Sequence, residues 1–278
     1  MSAGLLSRDS LASSQGGVWA YLSPSRLNTW LTCPLKFKLV YLEGHRPPTT
    51  ASLFLGKCCH SILETMYRHR QLGVGLDAAD LSRRLLESWA EMIDQEGMRF
   101  DSVADERAMQ KQVGDLVGAY LNAVPPDEPR PLAVEAALEA PLVDPRSGEN
   151  MGIPLVGVVD LILDGHEGPI ITDFKTSARS AEPLEIVNEV QLSCYSWLFR
   201  QAEGREEGGL QIRSLVKTKV PKVEIHDYAS RTEQHFRRLF SLFHAYLDAL
   251  DKGAFTFRPG FHCGMCDFCQ THCRRWNG

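Results

Sequence analysis

Gly157-Val158-Val159-Asp160-Leu161-Ile162-Leu163, a polar turn, and then Pro169-Ile170-Ile171-Thr172-Asp173-Phe174-Lys175-Thr176 form the stretch whose reading decides the fold. Each half is rich in Val, Ile and Leu over a strand's length, and Asp164-Gly165-His166-Glu167-Gly168 between them has the composition of a turn. Two neighbouring strands are predicted, over residues 154–163 and 169–174. If Leu163 pairs with Pro169, Asp160 lies opposite Thr172. One residue of slip puts it opposite Asp173 and turns the strand's faces over. In either register the two acids are cross-strand neighbours. Asp173 and Lys175 share a face, because strand side chains alternate.

Two carboxylates held together repel one another and raise a pKa unless a cation sits between them. Mg²⁺ or Mn²⁺ suits such a place, since hard divalent ions take oxygen ligands. A metal there polarises a phosphate and acidifies a water, and Lys175 can orient that water or stabilise charge on the phosphate. The same residues also read as solvated acids at strand ends beside a surface lysine. Taken alone, the stretch leaves both readings open.

Outward from this centre, the N-terminal half is helical. Ser23 caps a helix that has Pro24 in its first turn and Leu27, Trp30 and Leu31 on an apolar side. Pro34, after Cys33, interrupts it. A helix over about residues 53–69 follows a Pro47-Pro48 loop, and two amphipathic helices, about 78–95 and 105–123, read as packing elements. Pro125-Pro126-Asp127 ends this helical section of residues 53–123. A strand over 134–142 precedes the acidic pair. After it come a helix over 186–201, a hairpin of 211–219 and 222–228 around Val220-Pro221, and a long helix over 231–251. The fold class is α/β (α+β): a small, mainly antiparallel mixed sheet flanked by helices. The catalytic core is expected over residues 134–228, within one domain of 21–278. Residues 1–20, opening on a Ser/Gly-rich run, are expected to be a disordered tail.

The bulk composition narrows the function classes. The chain has 278 residues, 44% of them apolar, and a net charge of -5. No global basic field announces a nucleic-acid partner, so any such partner needs a local basic groove. Pairs such as Lys36 and Lys38, Arg83 and Arg84, or Lys217 and Lys219 could line one, and Trp30, Tyr41 and Trp276 could stack unpaired bases. No apolar run reaches the roughly 18 residues of a membrane span, and the N-terminus has no signal-like core. The cytoplasm is the expected compartment. There the eight cysteines are thiols or metal ligands rather than disulfides. No G-x-x-x-x-G-K-[ST] loop occurs, which excludes an ATP-driven motor of that type.

Gly-x-x-Asp at Gly157–Asp160, then Asp173-Phe174-Lys175-Thr176, resembles the core of the PD-(D/E)XK nuclease superfamily, with its restriction-endonuclease-like core. The resemblance is closest to the RecB/AddB-type and CRISPR-associated exonuclease branch. That branch places a Gly-x-x-x-His helix before the core and a Gln-x-x-x-Tyr helix after it. Gly56-Lys57-Cys58-Cys59-His60 and Gln191-Leu192-Ser193-Cys194-Tyr195 stand in those places. The resemblance implies His60, Asp160, Asp173 and the Phe174 carbonyl as metal contacts and Lys175 as the catalytic lysine. Gln191 would lie near that lysine and the substrate, with Tyr195 on the same helical face. Read by itself, His60 is a satisfied helix histidine with Glu64 at i+4. The implied activity is exonucleolytic cleavage of DNA, single-stranded, in repair, recombination or CRISPR adaptation. A helicase or CRISPR integrase partner would be a separate chain.

The tail Cys263-Gly264-Met265-Cys266-Asp267-Phe268-Cys269-Gln270-Thr271-His272-Cys273 is dense in soft ligands, and its spacing suits zinc or an iron–sulfur cluster. The resemblance favours a [4Fe–4S] cluster held by Cys33, Cys263, Cys266 and a fourth cysteine. Cys273 is the choice for that fourth ligand and Cys269 the alternative. Residues 255–278 are then the cluster-binding segment. Cys58, Cys59 and Cys194 read as buried thiols. Two other readings stay open: a catalytically idle binding or scaffolding protein of the same fold, and a regulatory protein stabilised by zinc in the tail.

Overall fold

The apolar runs around Asp160 and Asp173 lie at the centre of one five-stranded sheet, ordered β1-β2-β3-β4-β5, in a computed structural model that describes residues 17–180 and 185–276. The strands are β1 (Pro131–Val143), β2 (Asn150–Leu163), β3 (Ile170–Ser177), β4 (Gly209–Val216) and β5 (Lys222–Tyr228). The α-helices among the described residues are α1 (Pro24–Thr32), α2 (Pro34–Phe37), α3 (Ala51–Gln71), α4 (Ala78–Glu96), α5 (Val103–Ala123), α6 (Glu185–Glu203) and α7 (Glu233–Asp251). Of the tail expected over residues 1–20, residues 1–16 lie outside those described, and Gly17–Trp19 form a 3₁₀ turn. No helix among the described residues is long and apolar enough to cross a membrane.

Neighbouring strands run antiparallel except β3 and β4, which are parallel. A parallel pair needs a crossover, and α6 supplies it between β3 and β4. Helices cover both faces of the sheet. On one side Leu27, Leu192, Leu198, Phe240 and Tyr246 from α1, α6 and α7 pack over Leu155, Val159 and Ile171. On the other, Leu55, Leu63, Leu85 and Leu116 from α3, α4 and α5 pack over Val134, Leu161 and Phe174. The result is the mixed sheet between helical layers that the sequence implies. Trp30 is buried edge-on against Tyr246, so core packing accounts for it.

Most element ends follow local chemistry. Ser23 Oγ accepts from the Arg26 N–H at 3.3 Å, with Pro24 in the first turn of α1. Pro34 ends the first helical run and opens α2, with Cys33 extended between the two. Thr50 caps α3 and extends it upstream of the predicted start. β4 stops at Val216, short of its predicted end, because Thr218 Oγ1 donates to the Val220 carbonyl and closes the turn.

A buried ionic network ties the helical layer to the sheet. Arg213 of β4 donates to Glu128 and to the hydroxyls of Tyr67 and Tyr120 at 2.8 and 2.6 Å. Arg70 also pairs with Glu128. The same tyrosines hold the Phe174 ring: Tyr67 stacks on it at 5.9 Å and Tyr120 meets it edge-on at 5.7 Å. Removing one partner of a buried pair strands the other charge. We therefore expect Arg213→Ala to destabilise the protein by about 3–5 kcal/mol in urea unfolding. Arg213→Met with Glu128→Gln should recover part of that loss. An Arg213→Ala variant as stable as wild type would show that the network contributes nothing.

Candidate active site and cysteine cluster

The site forms where β2 and β3 part. Leu163, Ile162 and Leu161 pair with Ile170, Ile171 and Thr172, and the continuation of that register sets Asp160 across from Asp173. This is the slipped alternative, not the pairing of Leu163 with Pro169. Pro169 has no N–H for the ladder, and its carbonyl instead accepts from Gly208 N at 2.8 Å, next to β4. Past Thr172 the ladder opens, and Asp160 Oδ2 accepts the Phe174 N–H at 2.8 Å. On the other side, Val134 pairs with Leu161 and Ala136 with Val159, which sets Glu135 across from Asp160. Three carboxylates thus stand in one row over three adjacent strands.

Two glycines let helices close on this row. A Cβ on Gly56 would lie 3.0 Å from Thr176 Oγ1, so glycine allows α3 to approach β3. One turn later, His60 Nδ1 is 3.5 Å from Asp160 Oδ1. Glu64, the alternative partner of His60, accepts from Arg68 at 2.8 Å instead. A Cβ on Gly157 would lie 2.7 Å from Leu198 Cδ1 and 3.4 Å from the Tyr195 ring, so α6 seats directly on β2. That seating aims Gln191 at β3. Its Nε2 donates to Asp173 Oδ1 at 2.8 Å and to the Tyr195 hydroxyl at 2.9 Å. Its Oε1 accepts from Lys175 Nζ at 2.7 Å, and Lys175 Nζ is 2.8 Å from Asp173 Oδ2.

His60, Glu135, Asp160, Asp173, Lys175 and Gln191 all line one open cleft of about 790 Å³. Each of His60, Glu135 and Asp160 offers one ligand atom, and the three atoms lie within 4.8 Å of one another. The donor set, one imidazole and carboxylate oxygens, suits a divalent cation that accepts nitrogen and oxygen. Tyr195 is largely buried and lines the cleft beside Gln191, whose amide donates to its hydroxyl. Phe174 has its ring anchored between Tyr67 and Tyr120, which fixes the backbone between Asp173 and Lys175. Glu135 is the site residue that sequence reading missed. On an alternating strand it reads as an outward polar residue, and only the β1–β2 register reveals its neighbour.

The five cysteines Cys33, Cys263, Cys266, Cys269 and Cys273 line a single small cavity, walled by Leu35, Leu39 and Phe268. Leu35 and Leu39 bury against Phe268, with Cys33, Cys266, Cys273 and Trp276 packed around them. Backbone bonds hold the two chain ends together as well: Leu35 N donates to Thr256 O at 3.1 Å, and Arg258 donates to the Leu31 carbonyl. Cys58, Cys59 and Cys194 lie apart, fully buried. Burial pushes the Cys58 and Cys59 thiols up to about 12.

A family model of the PD-(D/E)XK nuclease superfamily matches residues 21–274. The chain belongs to that superfamily. Among solved structures, a candidate exonuclease from Eubacterium rectale aligns with a TM-score of 0.60 at 13% identity, covering 98% of this chain and 95% of that one. At that identity the likeness speaks for the fold alone. SSO0001 aligns at a TM-score of 0.41 and 14% identity, over 88% of this chain and 96% of that one. No curated protein matches the chain.

The electrostatics of this superfamily member are set by burial against charge. Burial pushes the Asp173 carboxyl above its ordinary range. Lys175 pulls it back, and the negative Asp160 pushes it up again. Burial works to lower the His60 pKa, but the bond to Asp160 and the charges of Asp160, Asp173 and Glu135 outweigh it and leave the imidazole above its usual value. The row of acids therefore draws positive charge to one place. A cation in the cleft would relieve the same strain.

Proposed function

We propose that this nuclease-superfamily member is a metal-dependent DNA exonuclease of the RecB/AddB-type and CRISPR-associated branch. It acts on single-stranded ends and carries a structural [4Fe–4S] cluster. One observation carries the reading: His60 from α3, Asp160 from β2, Asp173 and Lys175 from β3 and Gln191 from α6 converge in one cleft. An idle scaffold has no need of a lysine seated between a buried carboxylate and a glutamine. His60, Asp160, Asp173 and the Phe174 carbonyl hold Mg²⁺ or Mn²⁺. The bound metal supplies Lewis acidity to a phosphodiester oxygen and acidity to a water. Lys175 places its ammonium beside the attacked phosphate, where charge builds up as the bond breaks. Gln191 holds Lys175 and Asp173 in register, and Tyr195 holds Gln191.

For the tail, Cys33, Cys263, Cys266 and Cys273 are the proposed cluster ligands, with Cys269 as the alternative fourth. Cys33 lines the cavity together with the tail cysteines, which favours a four-cysteine cluster over a zinc held by the tail alone. A reducing compartment such as the cytoplasm is proposed, where cysteines serve as thiols or cluster ligands. The proposed setting is DNA repair, recombination or CRISPR adaptation, with any helicase or integrase on a separate chain.

Metal removal tests the reading. Anaerobically purified protein treated with EDTA should leave end-labelled DNA intact, and Mn²⁺ or Mg²⁺ should restore cleavage of linear single strands while sparing a closed single-stranded circle. Undiminished cleavage in EDTA would refute the metal requirement. Cutting of the circle at the linear rate would refute the exonuclease assignment.

A further inference from the structure

We infer that Glu135 is a ligand of the divalent metal in the cleft, on the side of Asp160 that faces His60. The inference rests on the metal-dependent reading above and changes its ligand set: Glu135, from a strand outside the superfamily motifs quoted above, joins His60 and Asp160 in one group.

The geometry of Asp160 divides the site. Its Oδ2 takes the Phe174 N–H, and its Oδ1 faces His60 at 3.5 Å. Both oxygens of Asp173 are engaged on the far side, by Gln191 and by Lys175. The ligand atoms that share one small space are thus those of His60, Glu135 and Asp160, within 4.8 Å of one another. Asp173 is not among them. A hard cation collects oxygens, and two carboxylates and an imidazole with room for water in an open cleft is a donor set it accepts.

The backbone independently marks Glu135 out. Its φ is +49°, and no other non-glycine residue described has a positive φ. In a regular strand Val134 and Ala136 would share a face. Here Val134 joins the core beneath α3 to α5, and Ala136 joins the core beneath α1, α6 and α7. Leu161 and Val159, their partners on β2, divide between the same two cores. The swivel brings Glu135 and Asp160 out side by side at the seam between the cores, where the cleft opens. Glycine would take this conformation without strain. A glutamate there trades backbone comfort for a carboxylate at that point.

The test is Mn²⁺ titration of the full-length protein by calorimetry, with the Mn²⁺ electron paramagnetic resonance signal as a second readout. It compares wild type with Glu135→Gln and Glu135→Gly. Loss of a ligand should weaken Mn²⁺ binding about tenfold or more in both variants. Glu135→Gly should keep or raise the melting temperature of the metal-free protein, because the left-handed conformation suits glycine. A Glu135 that acts only as structure would give the opposite pattern: a lower metal-free melting temperature and Mn²⁺ affinity within twofold of wild type. That result would overturn the inference and leave the metal-dependent reading standing. If wild type itself binds no Mn²⁺, that reading fails, and the assignment of Glu135 fails with it.

Discussion

Lys175→Ala should lower the turnover of DNA cleavage by about a thousandfold or more while leaving the fold and Mn²⁺ binding in place. The lysine is held on two sides, by Asp173 at 2.8 Å and Gln191 at 2.7 Å, so its ammonium is fixed before substrate arrives. A preorganised charge aimed at a reacting phosphate acts in the transition state more than in the ground state, so the loss should appear in kcat rather than KM. A thousandfold corresponds to about 4 kcal/mol of barrier. Lys175→Ala also leaves the buried Asp173 carboxylate without its cation, so stability should be compared with Mn²⁺ present, where the metal's charge faces the same carboxylates. Lys175→Arg keeps the charge but not the compact ammonium, and it should rescue only a fraction of the activity. Cleavage by Lys175→Ala within tenfold of wild type, at saturating Mn²⁺, would remove Lys175 from the chemistry and leave the catalytic reading without its cation.

How much of this was legible beforehand depends on which interactions are local. The strands carrying Asp160 and Asp173 announce themselves, because β-branched runs bounded by turn residues are short-range signals. The helix start at Pro24 follows from the Ser23 cap beside it, whereas the Thr50 cap, which the prediction does not use, starts α3 at Ala51, two residues before the expected start. Register is different. The placement of Asp160 opposite Asp173 depends on Pro169 being drawn toward Gly208, and nothing near Pro169 in the sequence says so. Glu135 is harder still. Its neighbour Asp160 is fixed by the β1–β2 ladder, and its left-handed backbone is a conformation that glutamate by itself disfavours. Local propensity therefore points away from the structure at that residue. The Gly56 and Gly157 motifs were legible as spacings, but their physical meaning was not. Both mark close approaches, of α3 to Thr176 and of α6 to β2, and only packing shows what a Cβ would meet. The fold was read from periodicity, whereas the site is made by contacts between segments far apart in the chain.

The cysteine cavity joins such distant segments most widely, and it gives the largest expected effect on stability. Cys33→Ala in anaerobically purified protein should abolish iron retention and the brown absorbance of a [4Fe–4S] cluster, and lower the melting temperature on the order of 10 °C. The size follows from where the residue stands. Cys33 lies extended at the junction of α1 and α2, and Cys263 follows roughly 230 positions later. A link across that span removes loop-closure freedom from the unfolded chain, about 5 kcal/mol on the chain-entropy account. The rest of the docking is modest: Leu35 and Leu39 against Phe268, and two backbone-accepting hydrogen bonds. Without the link, the tail should fray from the helical junction before the sheet unfolds, exposing the segment around the buried Phe268 to protease. Cys273→Ala and Cys269→Ala separate the candidates for the fourth position, since the true ligand loses iron and the spare sulfur keeps it. Iron content and melting temperature unchanged in Cys33→Ala would mean that the tail cysteines hold their group by themselves. The two ends would then be joined by packing alone, and stoichiometric zinc in place of iron would replace the cluster with a tail-bound metal.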